Sequence, residues 1–177
     1  MPNIPIIGVA GKAGTGKSTV ARLIVAERGG YLYNFADPLK AMLNAGFGID
    51  CSDPYWLEHK EDPIHALYGA SLRQLMQTLG TEWGRDMIHK DLWLTPARQK
   101  LREMGPGMVV GDVRFENEAA WIRKMGGKII HISRSNVAEI RYHDSEASVE
   151  ILPGDARLVN DGTIETLQID IKDVLDG

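Results

Sequence analysis

The 177-residue chain holds one cysteine, Cys51, which excludes an internal disulfide framework and a cysteine-built zinc site. It has no apolar run near the ~20 residues that cross a bilayer as a helix. Basic charge is not in excess either: 20 lysines and arginines face 24 acidic residues, for a formal net charge of −4. That balance argues against a protein that grips nucleic acid by broad phosphate neutralisation. The first residues, Met1-Pro2-Asn3-Ile4-Pro5, lack the basic and apolar regions of a secretion signal. There is no repeat, no low-complexity tract and no long block of charge. The expectation is one cytoplasmic globular domain with neither a membrane nor a nucleic-acid partner. The content of 44% hydrophobic and 25% charged residues suits it.

What is present alternates. Apolar runs take turns with helix-period segments, the pattern of an α/β domain around a parallel sheet. Residues 6–10 read as a buried first strand, and Val20, Leu23 and Ile24 line one face of a helix that Gly29-Gly30 ends. Residues 31–35, 108–111 and 128–133 suit three more strands, and 157–159 a short fifth. Phe115, Ala119, Ile122 and Met125 keep helical spacing, as do Ile164, Leu167, Ile171 and Val174 near the end. Two stretches break the rhythm, 46–70 and 134–153. Long irregular segments in a compact domain are functional loops or plain surface insertions.

Gly11-Lys12-Ala13-Gly14-Thr15-Gly16-Lys17-Ser18, followed by Thr19, fits G-x-x-x-x-G-K-[ST] at every fixed position, between an apolar strand and an amphipathic helix. The spacing has a chemical reason. Glycines let the backbone curl until its N–H groups converge on phosphate oxygens, and the helix N-terminus adds partial positive charge. Lys17 is then placed for the β- and γ-phosphates of ATP, and the Ser18 hydroxyl for Mg²⁺. The base-reading Asn-Lys-x-Asp and the Asp-x-x-Gly switch of a GTPase are both missing. A small chain with two polar insertions suits a kinase that closes over two substrates and keeps water out.

The acceptor side is less sharply drawn. Leu72, Leu75, Met76, Leu79 and Trp83 form an apolar helical stripe, with Arg73, Gln77, Gly80 and Thr81 on the opposite face. Such a face is either merely solvated or, since arginine grips phosphate in bidentate fashion, a seat for a nucleoside monophosphate. Asp112 follows an apolar run at the ligand-binding edge of the sheet, where it could hold a Mg²⁺-bound water or the acceptor. Arg114 and Glu118 are either a surface ion pair or a part of the same crevice. Asp37 reads as an N-cap with Pro38 at the first helical position, and Lys40 lies near the ligand edge. Trp93 is a core residue or a stacking surface, and His131, inside an apolar strand, a satisfied core histidine.

Taken together, residues 8–18, Phe35-Ala36-Asp37-Pro38-Leu39-Lys40, RQLMQTLGTEWGR (73–85) and DVRFENE (112–118) resemble the bacteriophage-type deoxynucleoside monophosphate kinases. Asn160-Asp161-Gly162-Thr163 and His143-Asp144-Ser145-Glu146 are also similar to family segments. The resemblance spans nearly the whole chain except 46–70. It implies a P-loop fold of the nucleoside monophosphate kinase type: a five-stranded parallel sheet flanked by helices, an acceptor-binding region over 37–94 and a lid-like segment over 134–153. It implies ATP and Mg²⁺, and transfer of the γ-phosphoryl to a deoxynucleoside 5′-monophosphate. Gly11, Ala13, Gly14, Thr15, Gly16, Lys17, Ser18 and Thr19 fall to ATP, with Asn160 and Gly162 in a loop beside the adenine. Asp37, Lys40, Arg73, Gln77, Gly80, Thr81, Trp93, Asp112, Arg114 and Glu118 fall to the monophosphate, and Ser18 and Asp112 to the metal. Lys17, with one or more of Arg73, Arg114, Arg134 and Arg141, is expected to carry catalysis.

The partners implied are small-molecule nucleotides, and the compartment a host cell's cytoplasm; a homodimer is left open. The competing readings are another small-molecule P-loop kinase, of the dephospho-coenzyme A or phosphomevalonate type, and an ATP-binding regulatory module without turnover.

Overall fold

The computed structural model of the chain describes residues 5–135 and 149–176. Arg141 and the stretch 143–146 lie outside the described residues. The chain divides into two compact units, one formed by Met1–Asn34 with Ala97–Gly177 and the other by Phe35–Pro96.

The first unit is built on five parallel strands: β1 (Ile7–Ala10), β2 (Tyr31–Tyr33), β3 (Met108–Val113), β4 (Lys128–Ser133) and β5 (Ala156–Val159). Their order across the sheet is β2-β3-β1-β4-β5. Strands covered on both faces need apolar residues in succession rather than in alternation. Accordingly all four residues of β1 are buried, as are Met108, Val109 and Val110 of β3. α1 (Lys17–Arg28) places Val20, Ala21 and Ile24 against this sheet, and α7 (Ile164–Asp176) adds Leu167 and Ile171 to the same core. α6 (Glu116–Lys124) buries Ala119, Trp121 and Ile122. Glycine at position 8 lets the layers approach, since a Cβ there would meet the Ile129 and Ile122 side chains at 2.7 and 2.8 Å.

Two strands differ from expectation. β2 stops at Tyr33 rather than residue 35, and β3 runs on to Val113, so Asp112 lies inside the strand and does not follow it. The pairing of β1 with β3 slips there: Gly8 opposes Val110 but Ala10 opposes Val113. One extra residue on β3 makes a bulge at the sheet's C-terminal edge, a device that re-aims side chains beside functional sites. α5 (Leu94–Met104) adds a helix beyond the expected elements, with Leu94, Ala97 and Leu101 at helical spacing.

The second unit is helical. It contains α2 (Asp37–Phe47), α3 (Pro54–Glu58) and α4 (Leu72–Gln77), which runs into a wider π-helical segment over Thr78–Ile88. Residues 46–70 are therefore not an irregular loop. Leu43, Ile49, Cys51 and Leu72 form a small core of their own, with Trp56, Ile64, Leu67, Leu75, Met76 and Leu79 packed on it. Burial in this core pushes the Cys51 thiol up from its ordinary pKa. The expected apolar stripe holds from Leu72 to Leu79 but not to Trp83, which is 36% exposed. Hydrogen bonds five residues apart, as from the His89 N–H to the Gly84 carbonyl at 3.1 Å, turn each residue through a smaller angle and end the α-helical period. Among the described residues no helix is long and apolar enough to cross a membrane.

Candidate active site

The phosphate-binding loop leaves β1 and enters α1. Gly14 and Gly16 take φ of +81° and +98°, values that a side chain resists, so the curl of this loop depends on glycine at both positions. Gly16 is the N-cap of α1, and its carbonyl accepts the first helical bond from the Val20 N–H at 3.0 Å. The helix N-terminus thus opens directly under the loop, where first-turn N–H groups and the positive dipole end suit an anion.

Lys17 belongs to the first turn of that helix, yet its side chain is buried and folds back. Its Nζ donates to the carbonyls of Gly11 and Lys12, at 2.6 and 2.8 Å. Thr15 is buried too; its hydroxyl donates to the Lys12 carbonyl at 2.8 Å. These bonds close the loop into a ring around the ammonium group, where a phosphate could share the charge. Ser18 is exposed on the first turn of α1, with Thr19 half-buried behind it. Asp112 is half-buried in the β3 bulge. A hydroxyl and a carboxylate are hard oxygen donors, the type that Mg²⁺ takes. Among the described residues no three His, Cys, Asp or Glu side chains gather into a metal cage. The donor set suits an ion that keeps water and takes most of its ligands from phosphate.

The segment 160–163 is more tightly specified than its sequence suggests. The Asn160 side-chain amide donates to the Thr15 carbonyl at 2.8 Å, 145 positions away in the chain. Asp161 accepts the Ser135 N–H at 2.7 Å and the Ser135 hydroxyl as well, and these bonds hold its carboxyl below the usual range. Thr163 accepts the Thr166 N–H at 3.3 Å, capping α7. Gly162 is exposed, and a Cβ there would collide with the Thr166 hydroxyl.

Glu118 does not lie at the surface. Glu118 is only 2% exposed, and its Oε2 accepts the backbone N–H groups of Arg114 and Phe115 at 2.8 and 3.1 Å. It is a buried carboxylate stitching the start of α6, the half of a capping box that reaches back from the third helical position. Arg134, past the end of β4, is exposed. A second buried carboxylate, Asp155, receives Arg123 at 2.6 Å, His131 at 2.9 Å and the Leu152 N–H at 3.0 Å. Burial alone would raise its pKa, but the bonds from Arg123, Leu152 and His131 outweigh it and bring the carboxyl to about 2. His131 is thus a satisfied interior histidine, as its apolar strand suggested.

In the helical unit, Arg73 pairs through Nε with Glu61, twelve positions earlier in the chain. Its backbone N–H also donates to the Lys60 carbonyl at 2.9 Å, tying the start of α4 to that loop. Asp37 is not an N-cap: α2 begins at Asp37 itself, with Ala36 before it, and Asp37 faces Lys40 at 3.6 Å. Both are partly exposed, so this pair is a weak surface contact. Gln77 ends α4, while Thr81 is buried in the π-helical segment. Trp93 is 5% exposed and its Nε1 donates to the Gly80 carbonyl at 2.8 Å, which places the indole in the interior of this unit.

The family model described as deoxynucleotide monophosphate kinase matches residues 61–171. A putative deoxynucleotide monophosphate kinase of Acanthamoeba polyphaga mimivirus is 33% identical over 174 residues, covering 90% of each chain. The deoxynucleotide monophosphate kinase of Escherichia phage RB69 is 30% identical and matches 86% of this chain, which spans 57% of that protein's length. In fold, a gluconokinase from Sinorhizobium meliloti 1021 superposes with a TM-score of 0.54 over 99% of this chain and 94% of its own, at 12% identity. That likeness concerns the architecture of a parallel sheet flanked by helices and carries nothing about substrate.

Proposed function

The chain belongs to the deoxynucleotide monophosphate kinase family, and from that premise we propose that it moves the γ-phosphoryl of ATP to the 5′-phosphate of a deoxynucleoside monophosphate. The products are ADP and a deoxynucleoside diphosphate. The observation that carries the donor half is the buried Lys17 ammonium, held by two loop carbonyls at the open N-terminus of α1.

An oxygen of the acceptor's phosphate attacks the γ-phosphorus as the bond to the β–γ bridging oxygen breaks, and the electron pair leaves with ADP. The attacking oxygen is already ionised at neutral pH, so no general base is needed. What the protein supplies is in-line placement and positive charge around a loose transition state. Loop N–H groups from Gly11, Ala13, Gly14 and Gly16 bind the donor phosphates, Thr15 holds the loop's curl through the Lys12 carbonyl, and Lys17 neutralises charge on the β- and γ-oxygens. Ser18, with Asp112 through water, would hold Mg²⁺, whose charge offsets that of the phosphates.

On the acceptor side, Arg73 is the group that grips the monophosphate, exchanging Glu61 for phosphate oxygens. Arg114, oriented from its backbone by Glu118, and Arg134 supply further positive charge. Lys40, Gln77 and Thr81 contribute to acceptor binding, while Gly80 and Trp93 act by shaping the segment that carries them. The viral and phage sources of the relatives support a role in deoxynucleotide supply within a host cytoplasm.

The test is coupled ADP release with ATP and Mg²⁺ against a panel of deoxy- and ribonucleoside monophosphates. Turnover of one or more deoxynucleotides, with ribonucleotides slow, bears the reading out. Silence across the panel with ATP binding intact removes the acceptor from this class of molecule.

A further inference from the structure

The Asn160 side chain is spoken for by the phosphate loop. Its Nδ2 donates to the Thr15 carbonyl at 2.8 Å, and its backbone N–H donates to the Ser133 carbonyl at 2.8 Å. Asn160 comes immediately after β5, so a position fixed to the sheet reaches across to fix one peptide of the loop. Gly16 completes the fit: a Cβ at that position would collide with the same Asn160 amide nitrogen. The left-handed φ of +98° at Gly16 is a second reason for glycine there.

The consequence follows from peptide geometry. In a planar trans peptide the C=O of Thr15 and the N–H of Gly16 point in opposite directions. Holding the carbonyl on the Asn160 side therefore turns the Gly16 N–H the other way, as a loop amide donating to phosphate requires. A hydrogen bond accepted by the carbonyl also polarises the peptide and strengthens the bond its N–H donates. The Thr15 hydroxyl is already committed to the Lys12 carbonyl at 2.8 Å, so side chain and main chain at this corner are both set.

We propose that Asn160 is a positioning residue for the donor's phosphates, acting through the Thr15–Gly16 peptide, and that it does not read the base. The proposal rests on the reading that this loop holds a nucleoside triphosphate. It predicts a defect that depends on phosphate and is blind to what the phosphates are attached to.

The experiment is equilibrium binding of ATP, GTP and inorganic tripolyphosphate, each with Mg²⁺, to the wild-type chain, Asn160→Ala and Asn160→Asp. Loss of one hydrogen bond to a backbone carbonyl weakens all three probes in Asn160→Ala by the same factor, about tenfold. The KM for the deoxynucleoside monophosphate stays at the wild-type value in that variant, which a damaged fold would not allow. Asn160→Asp binds worse still at pH 8, where a carboxylate faces the carbonyl and offers it no donor. A loss confined to ATP makes Asn160 a base reader and overturns the proposal, as does unchanged binding in both variants. A wild-type chain that binds none of the three probes overturns the triphosphate reading itself.

Discussion

The Trp93 indole donates to the Gly80 carbonyl at 2.8 Å, and Gly84, one turn on from Gly80, is the position against which that indole lies. A Cβ on Gly84 would approach the ring at 2.6 Å, and one on Gly80 would meet the Leu39 side chain at 2.7 Å. The π-helical segment is therefore locked to its surroundings at two glycines, one of which also takes the indole's hydrogen bond.

Trp93→Phe keeps an aromatic filler but leaves the Gly80 carbonyl without the indole's donor, and is expected to cost about 1–2 kcal/mol of stability. Gly84→Ala overfills the same contact, at about 1–3 kcal/mol. Urea denaturation followed by fluorescence of the remaining tryptophans measures both. Unchanged midpoints for both variants mean that the indole does not brace this segment.

Arg73→Lys keeps the charge but loses the planar fork that matches a phosphate. The KM for the deoxynucleoside monophosphate rises by about tenfold or more, as for loss of a charge-assisted bond, while the KM for ATP holds. Glu61→Gln removes only an exposed partner and shifts stability by less than about 0.5 kcal/mol. Equal effects on the two KM values of Arg73→Lys would contradict an acceptor-side role.

Glu118→Ala strips the acceptor from two backbone N–H groups at the start of α6 and costs about 1–2 kcal/mol, as helix caps do. Because one of those groups belongs to Arg114, the acceptor KM rises as well. Glu118→Gln, which still offers a carbonyl oxygen, recovers part of both. Thermal melts beside steady-state kinetics for the two variants separate the effects.

How far the fold was legible depended on the distance over which each feature is determined. β1 and the start of β3 stand out because strands buried on both faces carry apolar residues in succession, a local property, and β4 keeps the signal in Ile129, Ile130 and Ile132. The glycines of 11–18 are equally local, since their backbone angles demand them. The core over 46–70 was hidden because α3 is only five residues long and Trp56, Ile64 and Leu67 are held by contacts with α2 and α4, not by any period of their own. Asn160 and Thr15 are 145 residues apart, and Arg123 and Asp155 are 32 apart, so spacing alone carries no trace of either pair. Glu118 stands out in its segment only as an acceptor-side candidate, and its bonds to the Arg114 and Phe115 amides depend on where the strand ends and the helix begins.

Asp155 sets a pH dependence whose sign is fixed. Its folded-state pKa, about 2, lies below the ordinary 3.8, so it contributes stability that is full above the unfolded value and is lost as pH falls through it toward 2. The depression corresponds to roughly 2 kcal/mol. Denaturation between pH 7 and pH 2.5 should show stability falling below about pH 4 in the wild-type chain. Asp155→Asn starts less stable at pH 7 and flattens this part of the curve. Parallel curves for the two proteins would remove Asp155 from the account.

The central claim is that the γ-phosphoryl leaves ATP for a deoxynucleoside monophosphate, and the direct measurement follows that group. With ATP labelled in the γ-position, Mg²⁺ and the best acceptor of the panel, the label should appear in the deoxynucleoside diphosphate. Lys17→Met, with the fold retained, should lose this product by orders of magnitude in kcat. Label found in free phosphate, or transfer by Lys17→Met at the wild-type rate, would contradict the account.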